Sequence, residues 1–414
     1  MWLYQIIVTL LKAGLYISLP FSEKNRRFMQ GRKGVFTQLK AFAERGKDGP
    51  CFWFHCASLG EFEQGRPVIE SVKEQYPDAC IVLTFFSPSG YEVRKDYEHA
   101  DLVCYLPLDG IRNARRFVRL VKPTVALFIK YEYWYGYLRE LERKDIPTLS
   151  VSTQFQVDGV PFQWYGGIYR HMLRMIRHYF VQDEISGRLL QDIGIRSTTL
   201  AGDTRFDRVA ALCDQAESVE LAEHFKQDEK VMVIGSNWPP DTEVLLPFMQ
   251  EFEEKIKFII APHNIEEEHL LRIEESLPYK TIRYSRTKAN TVSNYRVLII
   301  DNVGMLTSLY RYGDFAYVGG AFGKSLHNVL EPATFGMPVF FGNRSYQHVR
   351  EATDLLKLNG AFTVNDTKDL RYKFLTVWND EEKQQQMAEV CQSYVQNHTG
   401  ATKKVVNYLE KYIT

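Results

Sequence analysis

Residues Gly313 to Gly342, GDFAYVGGAFGKSLHNVLEPATFGMPVFFG, constrain the fold more than any other stretch. Phe315–Val318 is an apolar and aromatic run of strand length, and Met337–Phe341 is a second one. Between them Gly319 and Gly320 permit a sharp turn. Asn328 is placed to cap a short helix, with Glu331 three residues on, as in a capping box. Pro332 falls in the first turn, and Gly336 with Pro338 ends it. Strand, Gly-rich loop, helix and strand in that order predict a parallel βαβ unit. A loop that runs from a strand into a helix N-terminus suits a phosphate, because free N–H groups point there. The same residues also suit an ordinary βαβ turn in which Glu331 does no more than cap.

The pattern recurs along the chain. From Pro50, strand candidates at Cys51–Ala57, Ile81–Phe86, Val103–Leu106, Val125–Ile129, Thr148–Ser152, Tyr179–Gln182 and Thr198–Ala201 alternate with helical segments. One of these, Arg112–Leu120, is a basic helix, and another basic amphipathic helix is predicted over Arg170–His178. After an acidic helical linker a second series begins at Val231–Ile234, Phe258–Ala261 and Val297–Ile300 and leads into Gly313–Gly342. The reading is α/β with two doubly wound domains, residues 34–209 and 210–395. They are preceded by an N-terminal segment of residues 1–33 and followed by a C-terminal helix of residues 396–414.

Residues Met1–Phe21 form the most apolar segment, interrupted by Lys12 and followed by Lys24, Arg26, Arg27, Arg32 and Lys33. No cleavage site is present, so a membrane anchor, spanning the bilayer or lying in its surface, is expected. The alternative is an amphipathic helix packed on the first domain. The formal net charge of the chain is zero, but residues 1–210 carry 29 Lys and Arg against 23 Asp and Glu. A basic first half fits an anionic partner. The six cysteines make no CxxC pair and read as reduced thiols of a cytosolic domain. No metal-ligand spacing occurs, and no cofactor or nucleic-acid partner is expected.

Several strand ends carry chemistry. Ser58-Leu59-Gly60-Glu61 fits a capping box, and Glu61 alternatively fits a general base at a strand C-terminus. Ser87, Ser89 and Gly90 offer hydroxyls and N–H groups to an anion or to the next helix. Lys130, Tyr131 and Glu132 end the Val125 strand. Arg205, in Gly202-Asp203-Thr204-Arg205, fits stabilisation of a leaving phosphate or a local ion pair.

In order, FHCASLGE, TFFSPSG, EYW, GDTRFD, IGS, APH, DNVGMLTSLY, FAYVGG and HNVLEPATFGMPVFFG resemble the 3-deoxy-D-manno-octulosonate (Kdo) transferases of lipopolysaccharide synthesis. The resemblance implies a GT-B fold, two Rossmann-like domains facing a central cleft. It implies inverting, metal-independent transfer of Kdo from CMP-Kdo to a lipid A precursor at the cytoplasmic face of the inner membrane. Glu61 matches the family's general base. Lys130 and Arg205 become stabilisers of the transition state or leaving group, and Ser87, Ser89, Gly90 and Glu132 fall on the acceptor side. Ser236, Pro262, His263, Val303, Gly304, Met305, Asn328, Val329, Leu330 and Glu331 match CMP-binding segments, with Glu331 on the ribose. Three positions depart from the family pattern: Lys130 stands where an acid is usual, Pro262 where an arginine is usual (Ala261-Pro262-His263 for Pro-Arg-His), and Met305 where a glutamate is usual. The competing expectations are another GT-B enzyme that uses a UDP-sugar, whether glycosyltransferase or 2-epimerase, and a non-catalytic membrane-tethered module that binds lipid A.

Overall fold

The computed structural model describes residues 4, 8–10, 14, 17–18, 20–46, 49–277 and 281–413. It divides into two compact units, residues 1–208 with 399–414, and residues 209–398. The C-terminal segment therefore returns to the first unit. Ala401, Val405, Val406 and Leu409 pack among Phe62, Val68, Ile69 and Val72, and Asp207 accepts hydrogen bonds from the Gly400 and Thr402 backbone N–H groups.

In the first unit seven strands form one parallel sheet: β1 Cys51–Cys56, β2 Cys80–Phe85, β3 Leu102–Tyr105, β4 Val125–Ile129, β5 Thr148–Thr153, β6 His178–Val181 and β7 Thr198–Leu200. Their order is β3-β2-β1-β4-β5-β6-β7. β1, CFWFHC, is buried along its whole length, as expected of a parallel strand covered on both faces. Alternation divides its side chains: Cys51 and Trp53 enter one core, Phe52, Phe54 and Cys56 the other. The chain runs outward through β2 and β3, then returns to place β4 beside β1. This reversal leaves a crevice at the C-terminal ends of β1 and β4, where open α/β sheets bind their ligands.

The second unit repeats the design with β8 Val231–Asn237, β9 Lys257–Pro262, β10 Thr281–Arg283, β11 Val297–Ile299, β12 Phe315–Val318, β13 Val339–Gly342 and β14 Ala361–Val364. The order is β10-β11-β9-β8-β12-β13-β14, so the reversal lies between β8 and β12. Met232, Ile234, Phe258, Phe315 and Tyr317 fill one core, and Val231, Val233, Ile259 and Ala316 the other.

Some expectations are corrected. The basic helix predicted over Arg170–His178 is Gly167–Arg174, and His178 opens β6, where it bonds Ser197 and Thr199. Asn328 is not the formal N-cap: the helix is Leu330–Thr334 behind Val329. Asn328 still accepts the Leu330 N–H through Oδ1, so the capping chemistry persists one residue early.

Of the anchor expected within residues 1–33, residues 1–3, 5–7, 11–13, 15–16 and 19 lie outside the described residues. No helix among the described residues is long and apolar enough to cross a membrane. Arg32, which the sequence places in the basic cluster, turns inward. It donates to the carbonyls of Phe28, Phe86 and Leu106 and lies over the Phe28 ring at 3.6 Å. Burial lowers its pKa to about 10. All six cysteines are free and buried.

Candidate active site

The crevice of the first unit gathers Glu61, Ser87, Lys130 and Glu132 from the ends of three adjacent strands. β1 leads through Ala57 and Ser58 into the helix Leu59–Gln75. Glu61 completes a capping box there: its Oε2 accepts the Ser58 backbone N–H at 2.6 Å and the Ser58 hydroxyl at 2.7 Å. The structural and the functional readings of Glu61 thus coexist. The cap fixes where the carboxylate points and leaves Oε1 for other work.

β2 ends beside it. The Ser87 N–H donates to the Ala57 carbonyl at 2.7 Å, and Ser87 caps the helix Pro88–Arg94, which contains Ser89 and the buried Gly90. The Ser87 and Ser89 hydroxyls lie 3.0 Å apart. β4 ends in Lys130, a non-glycine residue at φ 61°. That left-handed backbone is strained for lysine, and the Lys130 carbonyl holds it by accepting from the Tyr133 and Ser150 hydroxyls. The Lys130 ammonium lies 5.9 Å from the Tyr131 ring centroid.

Glu132 follows. Burial, and then the charge of Glu61, push its carboxyl up to about 7. Two carboxylates therefore share this crevice, and one of them holds its proton near neutrality.

Arg205 stands where the chain leaves β7. Its Nε donates to Asp203 at 2.9 Å and its terminal nitrogen at 2.8 Å, and Gln64 of the Glu61 helix donates to the same Asp203 carboxylate. The guanidinium is 40% exposed. It is anchored to the helix that carries Glu61, and its charge is partly countered.

In the second unit, the ends of β8, β9 and β12 meet. Ser236 adopts φ 54° at the end of β8. His263, after Pro262, donates its backbone N–H to the Asn237 carbonyl. The Trp238 ring stacks on His263 at 4.1 Å and 20°, and its indole N–H donates to His327 Nε2 at 2.8 Å. Burial, with the nearby His263, lowers the His327 pKa. Asp241 anchors the next loop by accepting from the Gly320 N–H and the Tyr317 hydroxyl.

Glu331 accepts from the Thr307 hydroxyl at 2.7 Å and from the Asn328 amide at 2.9 Å. Thr307 belongs to the helix Leu306–Tyr310, entered through the Val303-Gly304-Met305 turn. Glu331 thus bridges two of the segments expected to hold the donor, together with Val329 and Leu330 at the start of its helix.

Two features escaped the sequence reading. Trp134 stacks on Phe86 at 4.7 Å, and its buried indole N–H has no hydrogen-bond partner. The Trp238–His263–His327 stack was also unread, because its rings come from three separate strand ends. Among the described residues no three His, Cys, Asp or Glu side chains converge as a metal site.

Residues 29–208 match the family model of the 3-deoxy-D-manno-octulosonic-acid transferases, or Kdo transferases. A relative of that name from Haemophilus influenzae is 24% identical over 87% of this chain and 87% of its own length. The chain is thus similar to Kdo transferases along most of its length. A second Kdo transferase, from Chlamydophila psittaci, is 26% identical over 74% of this chain and 72% of its own. Among solved structures, a UDP-GlcNAc 2-epimerase from Neisseria meningitidis aligns with TM-score 0.62 at 14% identity, over 87% of this chain and 100% of that one. At that identity the likeness shows the fold alone, the two-sheet GT-B fold. The likeness to the Kdo transferases marks the chain as a glycosyltransferase.

Proposed function

We propose that the protein moves Kdo from CMP-Kdo to a lipid A precursor, with inversion and without a metal, at the cytoplasmic face of the inner membrane. The observation that carries this reading is the placement of Glu61. Its carboxylate sits at the crevice of the first sheet, inside the region matched by the Kdo transferase model, and is oriented by Ser58.

In the step proposed, an acceptor hydroxyl attacks the anomeric carbon from the face opposite the phosphate. Glu61 takes the hydroxyl proton, the carbon–oxygen bond to the phosphate breaks, and CMP leaves with both bonding electrons. A monophosphate diester presents no diphosphate for a divalent ion to bridge. Charge on the leaving phosphate would instead meet backbone N–H groups and Arg205. Glu331 would turn its carboxylate to the ribose hydroxyls, exchanging the Asn328 or Thr307 bond for them. Ser236, Pro262 and His263 would line the nucleotide, and Ser87, Ser89, Gly90 and Glu132 the acceptor. Lys130, its strained backbone held by Tyr133 and Ser150, would join Arg205 in stabilising the transition state or leaving group.

The test is mass spectrometry of the product made from CMP-Kdo and a tetra-acylated lipid A precursor. A mass gain of one or more Kdo units is expected. CMP should also raise the melting temperature where UDP does not. Stabilisation by UDP alone would overturn the donor assignment, and no transfer by a folded, CMP-binding protein would favour a binding module.

A further inference from the structure

Three rings from three strand ends form one cluster in the second unit. The Trp238 and His327 rings lie edge to edge, their planes 13° apart, joined by the indole N–H on His327 Nε2. The His263 ring stacks against both, at centroid distances of 4.1 and 4.7 Å. Each ring is held at its backbone. The Trp238 N–H donates to Asp241 at 3.0 Å, the His263 N–H to the Asn237 carbonyl at 2.9 Å, and the His327 N–H to the Gly319 carbonyl at 3.2 Å. Gly320 makes room for the cluster: a Cβ there would sit 2.7 Å from His327 Cδ2. Side chains locked this way meet a ligand without reordering.

The bond to Trp238 decides what His327 offers. An indole N–H only donates, so Nε2 accepts and the proton of the neutral imidazole is on Nδ1. Among the described residues Nδ1 has no hydrogen-bond partner. An N–H donor is therefore left open beside a Trp ring that is 37% exposed. Both stand next to the carboxylate proposed for the ribose, because Asn328, which follows His327, donates to Glu331 at 2.9 Å.

These two features select among the parts of a nucleotide sugar. A cytosine presents an amine, which needs an acceptor, and Asp241, the carboxylate of this cluster, is taken by Trp238, Gly320 and Tyr317. A phosphate has no C–H surface for an indole face. A sugar acid has an anionic oxygen for the N–H and a C–H face for the ring.

We propose that this cluster seats the sugar acid of the donor. His327 Nδ1–H holds the carboxylate of the octulosonate, and the Trp238 ring covers the C–H face of the sugar. His263, stacked on both rings, joins this subsite to the segment that lines the nucleotide. The inference rests on the CMP-Kdo reading and names the part of the donor these rings hold.

The test is steady-state kinetics with freshly prepared CMP-Kdo at saturating lipid A precursor, with CMP as a competitive inhibitor in the same assay. His327→Phe keeps a ring and removes the N–H. KM for CMP-Kdo should rise about tenfold, while the inhibition constant of CMP changes by about twofold or less. His327→Asn places an amide N–H near the position of Nδ1 and should recover most of that loss. Trp238→Ala should raise KM about fivefold, and Trp238→Phe, which keeps a ring face, by less. Tyr372→Ala, at an exposed aromatic elsewhere on the same unit, should change neither constant. Circular dichroism melts report on folding. Both Trp238 variants keep the backbone N–H on Asp241, so they carry the test if His327→Phe does not fold. Equal losses of CMP and CMP-Kdo affinity would put the phosphate or the base on the rings and overturn the inference. So would an unchanged KM in the folded variants. A wild type that neither binds CMP nor uses CMP-Kdo would overturn the donor reading, and this inference with it.

Discussion

The carboxylates of Glu61 and Glu132 lie close enough, at the ends of β1 and β4, for the charge of one to hold a proton on the other. Burial is the larger cause and Glu61 the second, and together they raise Glu132 from 4.5 to about 7. A raised carboxyl pKa means that the folded state binds the proton more tightly than the unfolded chain. The stability this confers is complete below 4.5 and is lost as pH rises through about 7. Glu132→Gln should therefore stabilise the protein at about pH 8 by roughly 1–3 kcal/mol, a gain of several degrees in Tm, and give no gain at about pH 4.5. Thermal melts across that range check it. A pH-independent gain would mean that Glu132 is not titrating there.

Glu61 combines a cap with the proposed base, and the two duties separate by substitution. Gln keeps an acceptor oxygen for the Ser58 N–H and hydroxyl, so Glu61→Gln should shift Tm by about 2 °C or less. It cannot take a proton, so kcat should fall by about 100- to 10,000-fold. Steady-state kinetics beside a melt decide the matter. Activity retained within about twofold would remove Glu61 from the chemistry.

The parallel sheets were legible because buried parallel strands are near-continuous apolar runs: CFWFHC and FAYV announce themselves. β10, TIR, and β14, AFTV, did not. They are three and four residues long, lie at sheet edges, and bury only part of their length. Glu61, Lys130, Glu132 and Glu331 were legible as strand-end or capping residues. Their partners were not, because the Glu61–Glu132 coupling and the Thr307–Glu331 bond arise from strand order, which no local spacing encodes. Arg32 misled for a related reason: a cationic cluster in sequence says nothing about which member turns inward onto carbonyls and rings.

Two glycines of the second unit should fail for different reasons. At Gly319 a Cβ would meet the Ser236 carbonyl oxygen at 2.3 Å and the Asn237 Cα at 3.0 Å. Both neighbours are backbone and cannot yield, so Gly319→Ala should cost roughly 1–3 kcal/mol and remove the thermal shift given by CMP. At Gly304 the space is open but φ is 93°. Gly304→Ala should cost about 1 kcal/mol, partly recovered by Asn, which tolerates left-handed backbone. Chemical denaturation of the four variants checks this. Rescue by Asn at Gly319 as well as at Gly304 would mean that conformation, not crowding, governs both.

Trp238 sets the tautomer of His327. The indole N–H only donates, so His327 Nε2, at 2.8 Å, accepts and carries no proton. Neutral His327 then bears its proton on Nδ1. Burial and His263 already lower its pKa from 6.5. A depressed histidine pKa costs stability as pH falls below 6.5, because the unfolded chain takes up the proton more readily. Trp238→Phe keeps an aromatic ring for His263 and removes the N–H. The His327 pKa should then move up toward 6.5, and the acid-side loss of stability should shrink. Imidazole NMR titration of wild type and variant reads the shift directly, with His327→Gln to assign the resonance. An unchanged His327 pKa in Trp238→Phe would show that burial alone sets it and that the indole bond contributes nothing.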